Sequence, residues 1–183
     1  MYATVLFDAH ETAGESFDGA AARAATGLDG LGVGEDDVVC IMLRNEPAFL
    51  EAVFAARHVG AYPCPINWHY KAEETGWILA DSNAKALIVH ADLLPQIGGA
   101  VPRDVEVVVV QPESATRSAF GIAPQCAHAP DGTREWRSWI AAHSPWSGPA
   151  RIPRANMPYT SGTTGRAKGV RRAPTPPDAA ATT

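Results

Sequence analysis

The chain has 183 residues, 46% of them apolar and 19% charged, with a formal net charge of -5 at neutral pH. That apolar share is enough to fill the core of one ordinary domain, which excludes a disordered tail. The mild negative charge excludes a global attraction to nucleic acid or to anionic membrane.

In chain order, Thr4 to Ala9 is a short strand candidate or an extended lead-in. Ser16 is a helix N-cap candidate, followed by an alanine-rich stretch in which Phe17, Ala21, Ala24 and Leu28 recur at helical spacing until Gly30 or Gly32. Gly34 to Asp37 reads as a turn. Val38 to Leu43 is an unbroken apolar run, the pattern of a strand buried on both faces of a parallel sheet. Glu46 to Val59 reads as a second helix that tolerates Pro47 in its first turn and stops at Gly60. Ala61 to Asn67 is extended, and its prolines push it to a sheet edge or an irregular turn. Lys71 to Leu79 is a third helix, Lys85 to Val89 a strand, Ala91 to Ile97 a short helix and Val105 to Val110 the strongest strand signal in the chain. Strands alternating with helices imply crossovers, hence an α/β fold with a mostly parallel sheet flanked by helices.

From Gln111 to Pro149 the pattern weakens among scattered prolines and glycines. This reads as a long surface excursion with one short helix around Arg134 to Ala142, pinned to the body by Trp136, Trp139 and Ile140. The last residues, Ala173 to Thr183, are rich in proline, alanine and threonine with no apolar face, and are expected to be disordered. Cys40, Cys64 and Cys126 are odd in number and far apart, which argues against a disulfide framework and fits a reduced cytoplasmic setting. Cys40 and Cys64 sit in apolar runs and read as small core residues. The six histidines show no metal-binding spacing, and no stretch is long and apolar enough for a transmembrane segment.

One stretch carries chemistry: Tyr159-Thr160-Ser161-Gly162-Thr163-Thr164-Gly165-Arg166-Ala167-Lys168-Gly169-Val170. Glycines let backbone N–H groups converge on an anion, hydroxyls add donors that rotate to suit, and Lys168 brings a mobile point charge. This is a composition for polyphosphate. It is not a Walker A loop, because the Gly-Lys-Ser/Thr ending is missing. It reads instead as a glycine- and threonine-rich hairpin between two strands. Arg151, Arg154, Arg166, Lys168, Arg171 and Arg172 give this end of an acidic chain a local basic character, with no acid among them.

Tyr159 through Val170 closely resembles the phosphate loop of the adenylate-forming acyl-CoA synthetases, the superfamily that includes nonribosomal-peptide adenylation domains and luciferases. The family commonly has proline where this chain has Ala167, a change that costs loop stiffness but no donor or charge. Gly34 to Val39, Asn45, Phe49, Gly60 to Asn67, Glu74, Leu79, Asp81 and Ser82 follow the order of the same family's N-terminal part, so the resemblance spans nearly the whole chain. It implies residues 1–172 as a partial AMP-binding domain and 173–183 as a tail. The implied reaction is ATP-dependent activation of a carboxylic (fatty) acid to an acyl-adenylate and then to acyl-CoA, with ATP, Mg²⁺ and coenzyme A. Within this chain, Thr160, Ser161, Gly162, Thr163, Thr164, Gly165 and Lys168 would hold the β- and γ-phosphates, with Arg166 a weaker candidate.

In the family the remaining active-site groups lie beyond the phosphate loop, and this sequence stops soon after Val170. The expectation is therefore an incomplete first part of such an enzyme, with no catalytic residue of its own and no acyl-adenylate formed by these residues alone. An unpaired sheet edge would favour self-association. The alternative is a non-catalytic remnant that binds nucleotide or docks on an intact synthetase.

Overall fold

The computed structural model describes residues 17–160 and 166–174; the Thr4–Ala9 segment, the Ser16 cap and residues 175–183 of the tail lie outside the described residues. Five strands form one parallel sheet: β1 (Val38–Met42), β2 (Tyr62–Pro65), β3 (Ala84–His90), β4 (Glu106–Val110) and β5 (Arg134–Glu135), in the order β2-β1-β3-β4-β5. The helices are α1 (Phe17–Gly30), α2 (Pro47–His58), α3 (Ala72–Asp81), α4 (Leu94–Ile97), α5 (Ser114–Phe120) and α6 (Trp136–Ala141).

Period-two alternation divides the core. Val39, Ile41 and Ile88 face α1, α2 and α6, whereas Cys40, Met42, Leu87 and Val89 face α3 and α4. Both faces of β1 are buried, which is why its sequence is a continuous apolar run. Cys40 and Cys64 are register partners on neighbouring strands, both fully buried, while Cys126 is exposed and all three thiols are free. β2 is an edge strand, as its prolines require: Pro63 and Pro65 have no N–H to give a second neighbour.

The excursion after β4 holds more than the one helix expected. Arg134 and Glu135 are not helical; they pair with Val108 and Val109 as the fifth strand. The reason is the cap. Glu135 accepts hydrogen bonds from the N–H groups of Arg137 and Ser138, and an N-cap residue keeps extended backbone that a neighbouring strand can use. Helix α5 is an unexpected second helix, stopped by Gly121 at φ +61°. The expected Ala91–Ile97 helix begins only at Leu94: Pro95 has no N–H to donate to the Ala91 carbonyl and so suits a first turn.

The tryptophans of α6 do pin it. Trp136 is fully buried and donates from Nε1 to Glu51 of α2 at 2.9 Å, and Trp139 lies against Gly27 of α1 so closely that a Cβ at Gly27 would collide with its ring. Among the described residues no helix is long and apolar enough to cross a membrane.

Candidate functional site

Tyr159–Thr160 (β6) and Lys168–Gly169 (β7) pair antiparallel, Tyr159 opposite Gly169 and Thr160 opposite Lys168. The sequence therefore does form a hairpin here, and Val170 N–H donating to the Pro158 carbonyl (3.0 Å) closes its base. Of the seven residues expected to hold phosphate, Ser161, Gly162, Thr163, Thr164 and Gly165 lie outside the described residues. Thr160 and Lys168 are brought face to face across the two strands.

Alternation sorts the hairpin into a docked face and an open face. Tyr159 and Gly169 are half-buried, Thr160 and Lys168 exposed. Tyr159 donates its hydroxyl to Asp81 Oδ2 on α3 at 2.7 Å. Burial and then the Asp81 carboxylate push its phenol well above the ordinary tyrosine range, so it remains a donor at any physiological pH. A Cβ at Gly169 would collide with Met157 Cε and sit 2.9 Å from the Tyr159 ring, so glycine lets the strand lie this close without displacing either side chain. Trp77 of α3 donates from Nε1 to the Ala167 carbonyl at 3.0 Å, and the Arg166 guanidinium lies over the Trp77 ring, 4.6 Å from its centre.

The segments on either side lie along the β2 edge, which is consequently not bare. Met157 N–H donates to the Pro63 carbonyl at 2.9 Å, and Tyr62 Oη to the Arg172 carbonyl at 3.2 Å. Arg154, itself buried, bridges Asp36 (2.9 Å) and Glu35 (3.0 Å), and Arg151 also reaches Glu35 (3.1 Å). Arg171 donates to the Ser82 carbonyl and lies over Tyr62. Most of the basic end is thus fastened to the body, and among the described residues no carboxylate pairs with Lys168. Arg166, the weaker phosphate candidate, is occupied by Trp77.

Sequence reasoning missed the anchors. Trp77 and Asp81 are four apart on α3 and so share a face, but nothing in the sequence ties that face to a loop some ninety positions on. It also missed a second polar cluster. The chain runs from β1 outward to β2 and then back across β1 to β3, so the β1/β3 boundary is the topological switch point where ligands of open α/β sheets usually sit. There Arg44 grips Asp92 with two hydrogen bonds (3.0 and 2.7 Å), its guanidinium lying 4.9 Å from the centres of both the Trp68 and Phe120 rings. His90 accepts at Nδ1 from Arg44 N–H, which leaves Nε2 to meet Glu46 Oε1 at 2.9 Å. Glu46 Oε2 also accepts from the Thr116 hydroxyl at 2.8 Å. Burial by itself would raise the Glu46 pKa, but the His90 contact and the Thr116 and Glu113 donors hold it below the usual carboxylate value. The available signal was positional: His90 and Asp92 are polar residues at the carboxyl end of an otherwise apolar parallel strand.

The profile of the family described as AMP-binding enzyme matches residues 3–172. A 4-coumarate–CoA ligase of Oryza sativa subsp. japonica is 32% identical over 165 residues, an alignment covering 86% of this chain and 27% of the relative. A long-chain-fatty-acid–CoA ligase of Mycobacterium bovis is 35% identical over 158 residues, covering 80% and 24%. Among solved structures, an anthranilate CoA ligase in complex with anthranoyl-AMP superposes with a TM-score of 0.69 at 26% identity, over 86% of this chain and 29% of that one. The chain spans about a quarter of the length of the relatives it matches.

Proposed function

The chain belongs to the AMP-binding enzyme family, and from that premise we propose that its hairpin grips the β- and γ-phosphates of ATP in an adenylate-forming acid–thiol ligase. The observation that carries the reading is the open face of the hairpin. Thr160 and Lys168 stand side by side in solvent, while the opposite face and the cations Arg151, Arg154, Arg166 and Arg171 are engaged by the body. A lysine that no carboxylate pairs with among the described residues, standing opposite a hydroxyl, is a suitable place for negative charge. In the proposed first step a carboxylate oxygen attacks the α-phosphorus, the bond to the bridging oxygen of pyrophosphate breaks, and the developing charge on pyrophosphate falls where Lys168 and the hairpin donors lie. Thr160, Ser161, Gly162, Thr163, Thr164, Gly165 and Lys168 form the proposed contact set.

The whole reaction, from acid and ATP to acyl-CoA, is proposed for the whole protein. Magnesium and coenzyme A are proposed at that level as well. A cytoplasmic setting is supported by the free thiols of Cys40, Cys64 and Cys126. For these 183 residues by themselves we propose phosphate binding without acyl-adenylate formation, since donors aimed at a leaving group do not orient an attacking carboxylate. Competition tests the assignment. Pyrophosphate should displace ATP from the purified chain and AMP should not, because the grip is on the outer phosphates. Displacement by AMP with none by pyrophosphate would contradict it. Pyrophosphate release from ATP and a carboxylic acid by the chain alone would contradict the second part.

A further inference from the structure

The hairpin is tied to the fold at few points, and one of them acts on the strand that carries Lys168. Ala167 immediately precedes the lysine, and its carbonyl accepts from Trp77 Nε1 at 3.0 Å. Arg166, the residue before that, lies flat over the same indole at 4.6 Å. One side chain of α3 therefore restrains two consecutive residues of the returning strand, from its edge by a hydrogen bond and from its face by a cation–π contact. The neighbouring Tyr159–Asp81 bond holds the outgoing strand to the same helix one turn further on. Gly169, where a Cβ would strike Met157 and Tyr159, allows the strand no bulk with which to pack itself in place. A strand with so little side-chain mass of its own needs an external hold.

We propose that Trp77 is a positioning residue that fixes the Arg166–Lys168 strand before any ligand arrives, so that Lys168 and Thr160 stand opposed without an ordering cost at binding. The ligand part of this inference rests on the phosphate reading above; the ordering part does not. Arg166 belongs to the clamp and not to the phosphate contacts, because its guanidinium is held over the indole. Preorganisation of this kind raises affinity by removing the entropy lost when a loop is immobilised.

The experiment measures order and binding separately on the full chain. Amide hydrogen exchange of Val170, whose N–H closes the hairpin base, reports order without ligand. Trp77→Phe keeps a smaller ring for Arg166 and removes the hydrogen-bond donor. It should speed Val170 exchange about fivefold and weaken ATP binding by a similar factor, while the amide of Cys40 in the sheet keeps its protection. Proline at 167 restricts the backbone covalently, so A167P added to W77F should restore both readouts. Lys168→Ala should weaken ATP binding and leave Val170 exchange unchanged. Unchanged Val170 protection in W77F, or an equal rise at Cys40 showing general loss of stability, would overturn the clamp. Absence of ATP binding in the wild type, with Val170 still released by W77F, would sink the phosphate reading and leave the clamp standing.

Discussion

The chain collects polar side chains at the β1/β3 switch point and at the β6–β7 hairpin, and it closes the first while leaving the second open. At the switch point the Arg44, Asp92, His90 and Glu46 side chains are at most 9% exposed, each with a charged or polar partner within hydrogen-bond reach. At the hairpin, Tyr159, Ala167 and Arg166 are held by α3, but Thr160 and Lys168 face solvent. Topology alone would send a ligand to the switch point. Unengaged charge points instead to the hairpin, where the phosphate contacts are proposed. A cluster whose charges answer one another ties the β1 and β3 ends to α2 and α5, whereas a lysine with no carboxylate partner among the described residues can still answer a phosphate.

Breaking the closed region should have the largest effect. Arg44→Ala would leave the Asp92 carboxylate buried without its cation, a loss of about 3–5 kcal/mol, seen as a lower urea midpoint at constant slope. A loss below about 1 kcal/mol would mean that the cluster is not structural. Next, Gly169→Val drives a branched side chain into Met157 and Tyr159 and should cost about 1–3 kcal/mol. It should also displace β7 and reduce ATP affinity, so a variant with wild-type affinity would detach the hairpin's geometry from binding. A smaller effect should appear with acid. Because the folded Glu46 carboxyl titrates below its ordinary value near 4.5, the stability it contributes is present above that value and is lost as the pH falls through the lower folded one. Glu46→Gln should flatten that acid limb of the stability profile. An unchanged limb would show that Glu46 is not responsible for it.

How far the sequence could be read differs in the same way between the regions. Hydrophobic period and glycine stops located α1, β1, α2, β3 and β4, since buried faces leave a one-dimensional trace. The prolines of Tyr62–Pro65 marked an edge strand, and the Gly/Thr-rich stretch marked a hairpin. What escaped depends on contacts between distant positions. Arg134 and Glu135 form a strand only because β4 offers its edge and Glu135 caps the following helix. Likewise Trp77 and Asp81 gain meaning only when the hairpin reaches α3, and the pairing of His90 with Glu46 needs two strand ends to meet.

The most direct measurement is a calorimetric titration of ATP into the 183-residue chain and into its Lys168→Ala variant at equal salt. Saturable binding by the wild type, about tenfold weaker in the variant with stability unchanged within about 0.5 kcal/mol, is the result predicted for an open phosphate-gripping hairpin. No heat of binding in the wild type, or equal affinities in the two proteins, would contradict it.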